Sequence, residues 1–414
     1  MKRIAAAVLT LTFLLASPAL ADVWQQFRGP GGNGVSLERN LPTKWSSSKN
    51  VKFRTKLPGP GASSPIILGD RIYLTCYSGF GRETVSPGGM EDLMLHLVCC
   101  SAKTGKVIFN KKIKPTLPVS PRVRDHGYAA PTPTTDGQFL YVFFGKSGVF
   151  SFDLNGKQLW NTKVGSKTHR WGCGTSPVLY RDLVIVNASV ESGSLVALNK
   201  RSGDRVWSAK GMKASWNTPN LVQTSDGKTE VVVSVRNRVL AFDPLNGNRL
   251  WTCEGVHDYV CPSIISQNGI VYVIGGRQSR AIAIRAGGRG DVTDSHTLWR
   301  AKAGANVCSP VIVGGHMYWV SDRNRVAYCL DLKDGKVVYS KRFRAQPYAS
   351  AVAGDGKIYI VTRTEGTFVL AAKPSFTQLA HNELNDRSTF NASPAIANGK
   401  LFIRSNRYLY CIGK

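Results

Sequence analysis

The chain has 414 residues, of which 43% are hydrophobic, and this content excludes a chain too polar to form a core. Lysine and arginine total 54 against 26 aspartate and glutamate, so the formal net charge is +28 at pH 7. Such an excess favours anionic partners and long-range electrostatic steering, and it predicts nothing about the fold. No motif that reads nucleic-acid bases accompanies the charge, so we expect no dedicated nucleic-acid binding.

The N-terminus has the pattern of a cleavable export signal. Lys2 and Arg3 precede an apolar run over residues 4–15, and residues 19–21 (ALA) fit the small-x-small cleavage pattern. The run is shorter than the roughly twenty residues that a membrane span needs, and no later segment resembles a membrane span, so we predict no transmembrane segment. We therefore predict cleavage after Ala21, a mature chain of 393 residues over 22–414, and a periplasmic or secreted location.

Five segments of the chain repeat one phrase. Each has a small or apolar pair, a polar turn that ends in glycine, and then an aromatic residue two or three positions later. They are SAKTGKVIF (101–109), FDLNGKQLW (152–160), LNKRSGDRVW (198–207), FDPLNGNRLW (242–251) and LDLKDGKVVY (330–339). A repeat of about forty residues that is built from strands indicates a propeller or a solenoid.

A second phrase precedes each repeat: a Ser-Pro-like pair followed by a short apolar run. Its eight copies begin at Ser64, Thr132, Ser176, Thr218, Cys261, Ser309, Ser350 and Ser393. After each copy the sequence predicts a strand, a turn, and three further strands, the last of which carries the aromatic residue. Four strands in each of eight units predict an all-β, eight-bladed propeller that forms a single domain over 22–414.

The last unit lacks its fourth strand. Its third strand is predicted at 408–412, and the sequence stops at Lys414. Residues 50–57 (NVKFRTKL) resemble the fourth strand of the other units, with Phe53 at the aromatic position. We therefore predict that this N-terminal strand completes the last blade and closes the ring, which removes exposed sheet edges.

Three blades depart from the pattern. Blade one has a glycine-rich insertion at 79–93, and blade five replaces its turn with residues 286–296. Blade seven has no tryptophan at the aromatic position, where Leu379 is the candidate. Arg289-Gly290-Asp291 spells an adhesion tripeptide, which we attribute to chance in a glycine-rich loop.

The nine cysteines show no zinc-ligand spacing. Cys99, Cys329 and Cys411 occupy the repeat position that holds alanine in other units, so we predict that they are small buried apolar residues. Cys99 and Cys100 are adjacent, but neighbours in a strand face opposite sides of the sheet, which argues against a functional vicinal disulfide.

The repeated phrase, led by Ser-Pro inner strands, resembles the pyrroloquinoline-quinone (PQQ) repeat over essentially the whole mature chain. The segments 24–34 (WQQFRGPGGNG), 143–150 (FFGKSGVF) and 215–219 (SWNTP) resemble those of exported PQQ-like propellers of planctomycete bacteria. The resemblance implies an eight-bladed ring. That ring serves both quinone dehydrogenases and non-enzymatic proteins such as the outer-membrane assembly propeller, so the fold does not decide the function.

The resemblance to the dehydrogenases implies PQQ and Ca²⁺ in an axial funnel, with an aspartate as base. Ca²⁺ takes about six to eight oxygen ligands, whereas the loops that enter the innermost strands hold only Asp125 and Asp258 as evident carboxylates. No segment matches the dehydrogenases' calcium or base motifs, although Trp171 or Trp216 could stack on a quinone. We therefore predict no cofactor, no metal and no catalytic residue, and keep a PQQ- and calcium-dependent alcohol or sugar dehydrogenase as the alternative.

The same loops supply the candidate binding residues, because convergent polar and aromatic groups in a concavity are typical of a ligand site. Aromatic rings, imidazoles and an arginine near one pole suit an anionic or sugar-like ligand. The alternative is that these side chains only satisfy backbone groups around the channel mouth. The predicted set is His126, Tyr128, His169, Arg170, Trp171, Trp216, Asn217, His257, Tyr259, Tyr348 and Asn391. The expected function is an exported, monomeric, non-catalytic binding or scaffold propeller. The expected partners are an anionic polysaccharide, lipopolysaccharide or an envelope protein.

Overall fold

The structure, a computed structural model, describes residues 24–84 and 87–414. The predicted export signal lies outside the described residues. Eight antiparallel sheets follow one another along the chain, and each contains the four strands of one blade. The all-β, eight-bladed propeller that the repeats predict is therefore confirmed. Within the described ranges, no helix is long and apolar enough to cross a membrane.

The first four blades follow each other directly along the chain, and the strands of each run in chain order from the innermost to the outermost. Blade 1 comprises Ile66–Leu68, Arg71–Ser78, Met94–Ser101 and Val107–Ile113. Blade 2 comprises Thr134–Thr135, Phe139–Phe143, Val149–Asp153 and Gln158–Thr162. Blade 3 comprises Val178–Tyr180, Leu183–Ala188, Ser194–Asn199 and Arg205–Lys210. Blade 4 comprises Asn220–Gln223, Thr229–Val235, Arg238–Phe242 and Arg249–Glu254.

The other four blades complete the ring in the same order. Blade 5 comprises Ile265–Gln267, Ile270–Gly275, Arg280–Arg285 and Thr297–Ala301. Blade 6 comprises Val311–Val313, His316–Val320, Val326–Asp331 and Val337–Arg342. Blade 7 comprises Val352–Gly354, Lys357–Val361, Thr367–Ala371 and Gln378–Asn382. Blade 8 comprises Ala395–Ala397, Lys400–Arg404, Tyr408–Ile412 and the N-terminal strand Val51–Lys56.

Helical turns are short and lie between strands. In the part of the chain that the structure describes, three 3₁₀ turns span Pro30–Gly32, Met90–Asp92 and Gly145–Ser147, and one α-helical turn spans Thr293–His296. The last of these belongs to the loop that replaces the usual turn of blade 5. In the same loop, Gly290–Asp291 pairs in parallel with Arg249–Glu254 and becomes a fifth strand of blade 4.

Closure of the ring follows the sequence prediction. Phe53 pairs with Cys411, and Lys56 pairs with Tyr408, in an antiparallel ladder. The pairing gives blade 8 the same four-stranded form as its neighbours, because the N-terminal strand takes the place that the next residues of the chain would otherwise fill. The edge of the third strand, Tyr408–Ile412, is thereby paired within the ring.

The aromatic residues of the fourth strands fill a pocket against the next blade. Trp207 of blade 3 covers Gly247 in the turn of blade 4, so closely that a Cβ on this glycine would lie 2.5 Å from the indole. The indole N–H of Trp207 also donates to the Pro244 carbonyl at 3.0 Å. Equivalent pairs join Phe53 to Gly105, Phe109 to Gly156, Trp160 to Gly203 and Trp299 to Gly335. The aromatic residue of each of these blades therefore packs against the glycine of the repeated phrase in the next blade, where a larger residue would clash.

Each aromatic residue also lies opposite a small residue of the third strand. Cys99 pairs with Phe109, Cys329 with Tyr339, and Ala197 with Trp207. These cysteines are buried free thiols, as the repeat position predicts. The third strand needs a small side chain at this position because the aromatic ring of the fourth strand packs across it.

The blade-seven prediction is wrong by one residue. Ala380 pairs with Val369 at the aromatic position, whereas Leu379 points outward and is 38% exposed. Blade 7 therefore carries alanine where other blades carry a ring. Phe376, in the turn before this strand, contacts Tyr339 of blade 6 in an edge-to-face arrangement with ring centroids 5.8 Å apart.

A belt of hydroxyl side chains joins the inner ends of all eight blades. In each of seven links, a backbone N–H of one blade donates to the hydroxyl of the next at 2.9–3.1 Å. The chain of links runs through Ser64, Thr132, Ser176, Thr218, Ser263, Ser309, Ser350 and Ser393. The Ser-Pro-like phrase is thus a structural device, and in blade 5 its position is held by Ser263 and not by the predicted Cys261.

One end of the central channel is filled by the plug segment, residues 24–36. Its backbone bonds to the innermost strands of three blades: Trp24 O accepts from Ile67 N, Gln25 O from Thr135 N, and Gly34 O from Ala353 N. Arg28 is fully buried in the plug and donates to the Ala351 carbonyl at 3.1 Å. Burial lowers the pKa of Arg28 to about 9. The opposite end, which we call the loop pole, is formed by the connections that precede each innermost strand.

Candidate functional site

An axial pocket of about 260 Å³ opens at the loop pole. Phe27 of the plug segment forms its floor, and the belt hydroxyls of Ser263, Ser309, Ser350 and Ser393 line its lower wall. Because the plug closes the far end of the channel, the pocket is a blind cavity with one mouth. Its size and its mixture of apolar and polar lining suit a small ligand.

One wall is a connected polar network. The guanidinium of Arg363 pairs with Asp125 at 2.8 Å and lies 5.5 Å from the centre of the Tyr348 ring. His126 Nδ1 lies 2.9 Å from the hydroxyl of Tyr348, and its Nε2 lies 2.6 Å from the Trp171 carbonyl oxygen. Burial lowers the pKa of His126, so the imidazole is held neutral and serves to fix the two aromatic residues.

The opposite wall is aromatic. Trp171 and Tyr259 meet edge to face, with ring centroids 6.2 Å apart, and Trp216 lies beside them. The indole N–H of Trp216 donates to the Gly172 carbonyl at 2.9 Å, so this side chain offers its ring and not its donor to the cavity. Arg277 donates to the Tyr259 hydroxyl at 3.0 Å and holds that ring in place.

A buried carboxylate and two amides complete the lining. Asp322 Oδ1 accepts from the backbone N–H groups of Asn306 and Val307, at 2.9 and 3.1 Å. Burial raises the pKa of Asp322. The side-chain oxygens of Asn306 and Asn391 are buried without a hydrogen-bond partner, although Asn391 donates through Nδ2 to the Asp125 carbonyl at 2.5 Å. Two buried acceptors in the pocket therefore lack donors.

The structure brings six of the eleven predicted residues together in the axial pocket: His126, Trp171, Trp216, Tyr259, Tyr348 and Asn391. The other five lie elsewhere. Asn217 is buried under the pocket and donates to the Ser234 and Val260 carbonyls, while Arg170 and His257 are exposed on the outer surface.

Tyr128 and His169 line a second, smaller cavity of about 60 Å³ between blades 1, 2 and 3. This cavity also contains Cys173 and Glu191. Glu191 is 3% exposed, and burial raises its pKa to about 7. Burial also raises the pKa of the Cys173 thiol, next to that carboxyl.

Sequence reasoning missed Asp322 and Arg363. Both lie in turns that follow a second strand, His316–Val320 in blade 6 and Lys357–Val361 in blade 7. A second strand runs antiparallel to the innermost one, so its end returns to the loop pole. The repeats predict where each second strand ends, so the turns that hold Asp322 and Arg363 could have been assigned to the loop pole from the sequence.

The lining does not fit PQQ with calcium. PQQ is a polycarboxylate, whereas the pocket presents the carboxylates of Asp125 and Asp322 against the guanidinium of Arg363. Asp322 Oδ1 is already held by backbone N–H groups, and Asp125 is paired. Among residues 24–84 and 87–414, no three His, Cys, Asp or Glu side chains are grouped so that they could hold a metal ion. We therefore derive no step through this cofactor.

A second feature of the loop pole is the seam pocket, a cavity of about 620 Å³ where blade 8 meets blade 1. Four exposed basic side chains line it: Lys56, Arg82, Arg387 and Arg407. Among the described residues that line it, the one carboxylate is that of Glu83, which accepts from Asn406 Nδ2 at 3.0 Å. Four cations against one carboxylate make the seam pocket more electropositive than the axial pocket.

Comparison with known proteins places the chain in a family. A family model described as outer membrane protein assembly factor BamB matches residues 94–286, 214–373 and 288–407. A curated relative, outer membrane protein assembly factor BamB of Burkholderia pseudomallei, is 23% identical over 393 residues. The match covers 88% of this chain and 89% of that protein.

Solved structures share the fold at low identity. BamB from Moraxella catarrhalis has a TM-score of 0.62 and 12% identity, over 88% of this chain and 97% of that one. A quinohemoprotein alcohol dehydrogenase from Comamonas testosteroni has a TM-score of 0.65 and 9% identity, over 95% of this chain and 81% of that one. These likenesses show the propeller architecture alone, whereas the family model matches residues 94–407, which include blades 2 to 7 completely and parts of blades 1 and 8. The chain belongs to the propeller family described as outer membrane protein assembly factor BamB.

Proposed function

We propose that this protein is a non-catalytic binding propeller of the cell envelope that acts as a scaffold in outer-membrane protein assembly. The observation that carries the proposal is the family match over residues 94–407, because the matched family is described by that role. The geometry of the axial pocket supports a binding role, since its ionisable groups are engaged with one another and with the backbone. The protein would work in the periplasm, as the N-terminal sequence pattern predicts.

We further propose that the partner docks at the loop pole through an anionic surface. The seam pocket supports this step, because the cations of Arg82, Arg387 and Arg407 form no ion pair with another described residue. Exposed cations without an ion-pair partner among the described residues can attract an acidic protein face, an acidic polysaccharide or lipopolysaccharide. Such attraction steers association and is screened beyond about 8–10 Å near physiological salt.

The scaffold role is tested in the native host. A photo-crosslinking residue is placed at Arg407 on the loop pole and, in a matched strain, at Lys333 on the opposite pole. We expect crosslinks to outer-membrane assembly proteins from Arg407 alone, and a lower abundance of outer-membrane proteins when the gene is deleted. Alcohol or sugar dehydrogenase activity of the purified chain with PQQ and Ca²⁺ would overturn the non-catalytic proposal.

The anionic-partner step has its own test with purified protein. Binding to lipopolysaccharide and to alginate is measured across a salt series for the wild type and two charge variants. The test variant replaces the seam residues Lys56, Arg82, Arg387 and Arg407 by Gln. The control variant replaces four exposed lysines of the opposite pole, Lys103, Lys106, Lys157 and Lys333, by Gln. We expect weaker binding and a shallower salt slope in the test variant only. Equal losses in both variants would show that charge acts diffusely and not through the seam.

A further inference from the structure

We propose that the axial pocket is a binding site for a small, neutral, hydroxyl-rich ligand of about one or two sugar rings. The inference does not depend on the scaffold role, because it concerns a different cavity and a different ligand. It starts from the blind shape of the pocket, whose volume of about 260 Å³ is just below the range of about 300–1,000 Å³ that is typical of small-molecule sites.

The first argument is hydrogen-bond demand. The side-chain oxygens of Asn306 and Asn391 are buried in the lining without a donor, and Asn391 as a whole is only 5% exposed. A buried acceptor without a donor is unfavourable, so a ligand that brings donors removes this penalty on binding. Hydroxyl groups supply such donors. They can also accept from the serine hydroxyls of the belt, which line the same cavity.

The second argument is the charge of the lining. The whole chain carries +28, yet the described side chains of the axial pocket include two carboxylates, Asp125 and Asp322, and one guanidinium, Arg363. Arg363 is neutralised by Asp125 at 2.8 Å. His126 is buried, and the surroundings hold it neutral. An anion in this cavity would lie beside Asp322 without a free cation, so the anionic ligand that the sequence left open is disfavoured here.

The third argument is the aromatic wall. Trp171, Trp216 and Tyr259 present ring surface on one side of the pocket, and polar groups face them from the other side. Sugars have this same division, because their C–H faces are apolar and their edges carry hydroxyls. The rings are fixed before any ligand arrives, since Trp216 donates to the Gly172 carbonyl and Tyr259 accepts from Arg277. Fixed aromatic surface binds at a low entropic cost.

The test compares two probes that share one ring and differ in charge. Glucose and glucuronate are titrated into the purified full chain, with maltose as the two-ring probe, and binding is followed by tryptophan fluorescence and calorimetry. We expect saturable binding of glucose or maltose, and at least tenfold weaker binding of glucuronate. The neutral probes should also raise the melting temperature. Absence of binding by both neutral sugars, or tighter binding of glucuronate, would overturn the proposal.

A pair of variants locates the site. Asn306→Leu keeps the number and branching of the side-chain heavy atoms and removes the buried acceptor, whereas Asn324→Leu makes the same change outside the pocket, on the exposed surface of the loop pole. We expect at least a tenfold loss of neutral-sugar affinity in N306L and none in N324L. If N306L fails to fold, Trp216→Phe provides the same comparison against Trp160→Phe, which lies outside the pocket. Unchanged affinity in the pocket variant would place the sugar elsewhere and overturn the assignment.

Discussion

Trp251 donates its indole N–H to the carboxylate of Glu230 at 2.7 Å, and both side chains are buried. The other tryptophans at this repeat position donate to a backbone carbonyl in the turn of the next blade, as Trp299 does to Leu332 O at 2.8 Å. Blade 5 has no such turn, because residues 286–296 replace it. Glu230 supplies the missing acceptor and also accepts from the N–H of Gly287 at 3.2 Å.

The adhesion-like tripeptide has a structural role in the same place. Arg289 Nη1 lies 3.5 Å from Glu230, and Asp291 pairs with Arg238 at 3.0 Å. The two charged side chains therefore fasten the replacement loop onto blade 4, where Gly290–Asp291 adds a fifth strand.

We expect Glu230→Leu to lower the free energy of unfolding by about 1–3 kcal/mol for each buried donor that loses its acceptor. Arg289→Ala should cost at most about 1 kcal/mol, because that guanidinium is 59% exposed. Urea unfolding of both variants makes the comparison. In a Trp251→Phe background, the cost of Glu230→Leu should shrink. If Arg289→Ala lowers the free energy of unfolding as much as Glu230→Leu does, the ion pair between Arg289 and Glu230, and not the hydrogen bond from Trp251, stabilises this loop.

The packing of Trp207 against Gly247 can be tested by substituting the glycine. Gly247 has φ +74° and would place a Cβ 2.5 Å from the indole, whereas Gly227 has φ +79° and no atom within 4 Å. Alanine at either position should lower the free energy of unfolding by about 1–2 kcal/mol, because its Cβ disfavours the left-handed backbone conformation. We expect Gly247→Ala to lose roughly a further 1–3 kcal/mol by overpacking. Denaturant midpoints measure both variants.

Trp207→Ala should cost about 3–5 kcal/mol on its own, as truncation of a large buried aromatic residue does. With the ring gone, Gly247→Ala should cost no more than Gly227→Ala. Equal losses for the two glycine variants in the wild-type background would mean that the contact between Trp207 and Gly247 contributes little.

Ring closure can be tested by moving the closing strand. Deletion of residues 24–57 removes both the plug segment and the strand Val51–Lys56, so we expect a lower melting temperature and self-association through the exposed edge of Tyr408–Ile412. Transfer of residues 50–57 to a position behind Lys414, through a short glycine-containing turn, should restore a monomer. Calorimetry and size-exclusion chromatography follow the three proteins. A deletion variant that stays monomeric at the wild-type melting temperature would contradict the role of this strand.

Glu191 should make stability depend on pH. Burial raises its folded-state pKa to about 7 from an ordinary value of 4.5, so between these values the folded chain binds more protons than the unfolded chain. Its contribution therefore falls as pH rises from about 4.5 to 7, by about 3 kcal/mol in total, and the loss is complete above pH 7. Buried His126 acts with the opposite sign, because burial lowers its pKa.

The difference between wild type and Glu191→Gln isolates the glutamate. We expect the wild type to lose stability relative to the variant across pH 4.5–7, in chemical unfolding at several pH values. Glu91→Gln, at an exposed site of the blade-one insertion, should show no such trend and serves as the control. A wild-type curve parallel to that of Glu191→Gln would mean that this carboxyl is not perturbed.

The repeated phrase was enough to predict the architecture, because each of its residues meets a packing requirement within its own blade or in the next one. The glycine gives a left-handed turn, the aromatic residue lies over the glycine of the next blade, and the small residue of the third strand leaves it room. Those requirements recur at a fixed spacing, so eight blades and the closing strand with Phe53 were predictable. The errors at Leu379 and Cys261 fell in blades 7 and 5, where the pattern is incomplete and the register lacks its usual marker.

The axial pocket was only half predictable, for a physical reason. Loops before the innermost strands were identified from the chain, but whether a side chain points to the axis, as Tyr348 does, or outward, as His257 does, depends on packing against neighbouring blades. The pairing of Asp125 with Arg363 joins residues far apart in sequence, and it decides the charge of the cavity. Composition predicts only that the net charge of the protein is positive. The tertiary structure is needed to distinguish a near-neutral axial pocket from a cationic seam pocket.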